Sequence, residues 1–221
     1  MNKSLTDELE ERKKRAATIV KRLKKLIPDA EIALKYSNPW ELLVAVVLSA
    51  QCTDKKVNEV TEKLFKKYRT FDDYVKASAS RRTIAEFEQN IRPTGFYRNK
   101  AKNILAAAKI VGGKFHGEVP RTMKEITTIP GVARKSANVI LGNAYGVVEG
   151  IAVDTHVIRL SRAFSLTAEK DPVKIERDLM AIIPKKDWFQ FTYLIIEYGR
   201  RYCPARPHKH ENCPLKDLTK I

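Results

Sequence analysis

Apolar residues recur at three-to-four spacing in one segment after another, the pattern of amphipathic helices. The first such segment is Thr6 to Leu26, where Ile19, Val20, Leu23 and Leu26 share a stripe beside a strongly basic, solvated face. The next opens with Asn38, Pro39 and Glu41. These read as an N-cap, a proline whose missing N–H costs nothing at the first helical position, and an acid placed to return a hydrogen bond to the cap. Leu42 to Leu48 is apolar almost all round, so the segment is expected to be a central helix buried on several sides. Further helices are predicted at Lys55 to Lys67, Arg82 to Asn90 and Arg98 to Val111, the last with Ala101, Ile104, Leu105 and Ala108 on one face and ending at Gly112 and Gly113. Pro172 and Pro184 bracket another, and Trp188 to Tyr198 forms a final apolar helix before a tail rich in Pro and His. Strand signals are weak throughout, so the fold class is all-α, with about ten helices.

Composition narrows the partners. The chain has 221 residues, 43% of them hydrophobic, with 9 Gly and 10 Pro, which is enough for a compact core. Its 42 Lys and Arg against 26 Asp and Glu give a net charge of +16, which favours a polyanion as partner. A membrane is excluded, because the longest apolar stretch, Leu42 to Ala50, falls far short of the ~20 residues that span a bilayer. The N-terminus has mixed charge and no apolar signal core, so a cytoplasmic location is expected. The three cysteines, Cys52, Cys203 and Cys213, argue against a disulfide framework.

The most informative stretch is Ile126 to Lys135, read as a short helix, a Pro130-Gly131 turn and a second helix from about Val132 to Asn143. In such a hairpin the glycine lets the backbone approach a phosphate closely, and the amides that open the next helix donate to it, helped by the helix dipole. Pro130, Gly131, Val132, Ala133 and Arg134 are therefore candidate DNA-binding residues, a grip independent of base sequence. Lys135 follows in the first turn of the second helix, and a free amine there has the chemistry to attack carbon. Alone, Lys135 reads as a surface lysine, and Asp154 as the N-cap of a helix starting at Thr155. Their combination with the hairpin changes the reading.

The run IPGVARKSANVILGNAYG followed by IAVDTHVIRLSRAF resembles the endonuclease III family of helix-hairpin-helix DNA glycosylases, and NPWELLVAVVLSAQCTD and GFYRNKAKNI extend the likeness over nearly the whole chain. The resemblance implies a two-domain fold: a six-helix barrel domain over 32–146, with the hairpin at about 122–143, and a helical domain built from both chain ends, 1–31 and 147–221. It puts Lys135 at the nucleophile position and Asp154 at the acidic position, with Gln51 and Phe96 where residues enter the DNA stack. A base inside a duplex cannot be reached, so it is rotated out and something fills the gap; Phe96 suits an apolar wedge and Gln51 a partner for base edges. His156 reads either as an orienting or phosphate contact or as a satisfied structural histidine. The implied function is a base-excision repair glycosylase and AP lyase acting as a monomer on damaged double-stranded DNA, with oxidised pyrimidines as substrates, in the nucleoid-associated cytoplasm. The alternatives are a monofunctional uracil or mismatch glycosylase of the same fold and a non-catalytic DNA-binding protein.

Two departures from the family bear on the reading. Ala133 stands where the family hairpin has a second glycine. Many family members also carry an iron-sulfur cluster on cysteines spaced C-x6-C-x2-C-x5-C; counted from Cys203, that spacing meets His210, Cys213 and Thr219, so two of the four thiolates are missing. The expectation is therefore no cofactor, no iron-sulfur cluster and no metal, with Cys203, His208, His210 and Cys213 as the alternative, a zinc ligand set.

Overall fold

The computed structural model describes residues 5–219, and every regular element among them is helical. In chain order the α-helices are α1 (Leu5–Leu26), α2 (Pro39–Leu48), α3 (Asp54–Lys67), α4 (Phe71–Ala77), α5 (Arg81–Ile91), α6 (Tyr97–Lys114), α7 (Met123–Ile126), α8 (Arg134–Tyr145), α9 (Thr155–Ala163), α10 (Pro172–Ile182) and α11 (Trp188–Arg201). Their contacts divide the chain into two compact units, Ala33–Val147 and a unit formed by Met1–Ile32 with Val148–Ile221.

In the Ala33–Val147 unit, α2 is the hub. Asn38 Oδ1 accepts from the Glu41 amide at 2.9 Å, and the Glu41 carboxylate accepts from the Ser37 amide at 2.6 Å. The two hydrogen bonds fix where the helix starts. Trp40 and every residue from Leu42 to Leu48 are buried, with α3, α6 and α8 packed around them. Side-chain caps also start α3 (Thr53), α4 (Thr70 with Asp73) and α5 (Ser80 with Thr83), so each helix begins where a hydroxyl can satisfy an otherwise orphaned amide. Helix α4, not anticipated from periodicity, is only seven residues long, too short to show a full apolar stripe. Helix α6 runs through Gly112 and Gly113 rather than ending there. It ends at Lys114 with Phe115 as its C-cap, and Gly117, with a positive φ of 83°, turns the chain so that its amide reaches back to the Val111 carbonyl at 2.9 Å.

The other unit buries the stripe of α1 (Ala16, Ile19, Val20 and Leu23) and the following Ile27 with Leu160 of α9 and its C-cap Phe164, Ile175 and Leu179 of α10, and Leu194 and Tyr198 of α11. Cys203, Cys213 and Leu215 of the C-terminal segment lie in the same core. Charged groups pin that segment to α1: Arg22 donates to Asp217 at 2.6 Å and to the Pro214 carbonyl at 2.6 Å.

Truncating the hub tests this arrangement. Leu43→Ala removes a fully buried side chain and is expected to cost about 2–5 kcal/mol in urea unfolding, the range for buried Leu→Ala changes, whereas a loss under about 1 kcal/mol would mean that α2 is not tightly packed.

Candidate functional site

The hairpin is built from short-range hydrogen bonds. Thr122 caps α7, and the hydroxyls of Thr127 and Thr128 donate back to the Met123 and Glu125 carbonyls, each at 2.7 Å, closing the end of that helix. The chain then turns at Pro130-Gly131, with the Val132 amide donating to the Ile129 carbonyl at 3.1 Å. Gly131 has φ of 83°, and a Cβ there would lie 3.1 Å from Cβ of Asn103 on α6, so both conformation and space call for glycine. Helix α8 begins at Arg134, two residues later than the sequence suggested, because Val132 belongs to the turn, with its side chain buried. Ala133 sits at an extended backbone (φ −86°, ψ 170°) that alanine adopts without strain, so the missing glycine leaves the turn intact. It supplies no side-chain cap to α8, and Gly131, Ala133, Arg134 and Lys135 are all exposed.

Gln51 and Phe96 share an unusual backbone. Among the described residues only four that are not glycine have positive φ, and Gln51 (52°) and Phe96 (48°) are two of them. Such conformations persist only where the surroundings hold them. Lys100 on α6, a residue that sequence reasoning missed, is the holder: its side chain is buried, and Nζ donates to the Leu48 carbonyl at the end of α2 and to the Thr94 carbonyl, each at 2.8 Å. Leu48 leads into Gln51 and Thr94 into Phe96, so one ammonium braces both approaches. Burial pushes Lys100 below the ordinary lysine range. Phe96 itself is 63% exposed, so core packing does not account for its aromatic ring.

In the unit of Met1–Ile32 and Val148–Ile221, Asp154 is the N-cap of α9: its Oδ1 accepts from the Val157 amide at 2.8 Å. The ordinary reading of this residue is thus physically present, and it orients the carboxylate, which is half-buried. His156 follows in the first turn. Its Nδ1 is buried with no hydrogen-bond partner, and a Cβ on Gly199 of α11 would lie 2.5 Å from that atom. Gly199, also missed in the sequence, is what lets the ring lie against α11. Burial holds the imidazole below the usual histidine range, opposed by Asp154 and assisted by Arg200 and Arg159.

The C-terminal loop requires a correction. The expectation of no cofactor and no metal counted thiolates alone, but Cys203, His208, His210 and Cys213 bring four donor atoms within 4.8 Å of one another. Cys203 and Cys213 are buried, and both histidines are half-buried. Two imidazoles stand in for the missing thiolates, and this group can hold a metal.

The singled-out residues therefore gather in parts. Within the Ala33–Val147 unit, α6 supports the Gln51 and Phe96 segments through Lys100 and the hairpin turn through Asn103; Lys135 opens α8 in the same unit. Asp154, His156 and the Cys/His group belong to the other unit.

The profile of the HhH-GPD superfamily of base excision DNA repair proteins matches residues 44–185. Endonuclease III of Synechocystis sp. is 48% identical over 215 residues, covering 97% of this chain and 96% of that protein. Endonuclease III of Bacillus subtilis is 44% identical over 196 residues, covering 88% and 87%. The fold is similar, with a TM-score of 0.87 and 43% identity over 94% of this chain and 95% of the other, to a trapped endonuclease III–DNA covalent intermediate.

Two substitutions test the supports. Lys100→Met strands two buried carbonyls and is expected to cost about 1–3 kcal/mol for each in urea unfolding; a total below about 1 kcal/mol would show that Lys100 is not the brace. By proton NMR, His156 should titrate below the ordinary histidine range. Its contribution to stability is complete above that range and is lost as pH falls through the depressed value. Gly199→Ala should push the ring outward and move its titration up, and an unchanged value would refute the close approach.

Proposed function

The chain belongs to the HhH-GPD superfamily of base excision DNA repair proteins and, within it, to the endonuclease III family, and from that membership we propose a DNA glycosylase with AP lyase activity on damaged duplex DNA. The observation that carries the proposal is the likeness to a relative trapped covalently on DNA, together with an exposed lysine in the first turn of the helix that leaves the hairpin.

The chemistry starts at Lys135. Its free amine attacks C1′ of the damaged nucleotide, the bond from C1′ to the base breaks, and the base leaves with the electron pair and takes up a proton. The sugar ring then opens to give an imine between Lys135 Nζ and C1′. Loss of a proton from C2′ and departure of the 3′ phosphate complete the β-elimination that cuts the strand. Asp154 stabilises positive charge developing on the sugar and assists proton transfer. The cap hydrogen bond to Val157 occupies Oδ1 and leaves the other oxygen of the carboxylate for this work. Oxidised pyrimidines are the substrate class that the family likeness supports.

The remaining residues act on the duplex. The turn from Pro130 to Ala133 and the uncapped start of α8 suit a phosphate, the positive end of the helix dipole adding to the net charge of +16. Phe96 is the wedge that enters the stack, Gln51 contacts base edges and Arg134 contacts the backbone. His156, held below its usual range and lying next to Asp154, serves to orient rather than to take protons. The DNA substrate supports a cytoplasmic, nucleoid-associated location. No helix among the described residues is long and apolar enough to cross a membrane.

Borohydride reduction on abasic-site DNA tests the central step. The wild-type protein should form a covalent adduct that Lys135→Gln abolishes; base removal without an adduct would favour the monofunctional glycosylase, and binding alone the non-catalytic protein. Asp154→Asn separates capping from chemistry, because asparagine caps as well as aspartate. The variant should keep the wild-type melting temperature while losing about 10²–10⁴-fold in rate, the usual contribution of a general acid or base. Full activity would reduce Asp154 to a cap.

A further inference from the structure

We infer that Cys203, His208, His210 and Cys213 form a closed, structural site for a single tetrahedral divalent ion of the zinc class. Two sulfurs and two imidazole nitrogens are a donor set that zinc accepts. Spacing supports one ion. With zinc–sulfur bonds of about 2.3 Å and zinc–nitrogen bonds of about 2.0–2.1 Å, a tetrahedral ion sets its sulfur and nitrogen donors roughly 3.5 Å apart. Here Cys213 Sγ lies 3.4 Å from His208 Nε2, and His210 Nδ1 lies 4.0 Å from both Cys203 Sγ and Cys213 Sγ. All four donors fall within 4.8 Å of one another, close enough for one ion to touch every one. An iron-sulfur cluster is normally held by four cysteine thiolates, and this group offers two.

The surroundings are those of a ligand shell. His208 Nδ1 is 3.0 Å from the Arg206 carbonyl, to which it donates, and this orients the ring with Nε2 toward Cys213. Ligating histidines characteristically spend their second nitrogen this way, which fixes tautomer and ring orientation. Both thiols are carried on well-held backbone. The Cys203 amide donates to the Tyr198 carbonyl at 3.0 Å, and its carbonyl accepts from Arg159 Nη2 at 2.5 Å. Beyond Cys213, Arg22 holds the Pro214 carbonyl, and the Leu215 amide donates to the Tyr198 hydroxyl at 3.3 Å. The two histidines lie on the loop between, where the His210 carbonyl accepts from the Cys213 amide at 2.9 Å, and an ion bound to both rings ties that loop to the two thiols. With four protein ligands it has no position left for substrate, so its work is to fasten the loop between α11 and the C-terminal segment.

The test is independent of the glycosylase reading, because it measures metal and fold rather than turnover. Full-length protein is purified without a polyhistidine tag and analysed for zinc, iron and acid-labile sulfide. About one zinc per chain is expected. Iron with sulfide and a visible charge-transfer absorption, or no stoichiometric metal after growth in zinc-supplemented medium, would overturn the inference. The double variant His208→Asn/His210→Asn should lose the zinc while keeping its helical circular dichroism. In case that variant does not fold, wild-type protein exchanged into cobalt(II) gives a second reading. Intense tetrahedral ligand-field bands with thiolate-to-cobalt charge transfer support the site, and the weak spectrum of octahedral cobalt refutes it. Chelation of the wild-type protein should lower its melting temperature, with recovery on adding zinc back; a melting temperature indifferent to chelator would deny the ion its structural role.

Discussion

An apolar helix wrapped on all sides leaves its last carbonyls with no water to turn to. Helix α2 is in that position: from Leu42 to Leu48 every side chain is buried, and the Leu48 carbonyl needs a donor from the protein itself. Lys100 supplies it, and because the same ammonium also takes the Thr94 carbonyl, the solution to a packing problem becomes a mechanical link between two exposed segments. Gln51 and Phe96 are held in left-handed conformations at the ends of that link. The protein thus spends a buried charge where it gains geometry.

Asp154 shows a similar economy. The same carboxylate that starts α9 is the one the family likeness assigns to chemistry, so folding and orientation of the reacting group are one event. A flexible carboxylate would have to be immobilised at each turnover; a capped one is already fixed by the helix. His156 is held by the opposite device, an absence, since only a residue without a Cβ at position 199 lets the ring lie where it does.

What the sequence disclosed, and what it concealed, follows from the range of each interaction. Helix α2 and its start were legible because Asn38, Pro39 and Glu41 act within four residues of one another. The hairpin was legible for the same reason, although Val132 was assigned to the helix when its backbone belongs to the turn. Helix α4 could have been found from Thr70 and Asp73, whose reciprocal hydrogen bonds span three residues, but its apolar stripe was too short to draw attention. Lys100 was hidden among many lysines, because what distinguishes it is contact with a carbonyl 52 residues away. The C-terminal loop was misjudged for a chemical reason. Counting cysteines asks for one kind of ligand, whereas His208 and His210 offer another from the same stretch of chain.

Phe96 carries a further consequence in the colloidal behaviour of the protein. A ring this exposed is an adhesive point, available to any other apolar surface in a crowded solution. The excess of positive charge spread over the chain keeps copies apart before such rings can meet. The repulsion shrinks as ions screen it, and it is neutralised outright when the protein lies against a polyanion. Solubility and grip on DNA therefore draw on the same charges, and the exposed ring of Phe96 is kept solitary in free solution by the lysines and arginines that attract the duplex.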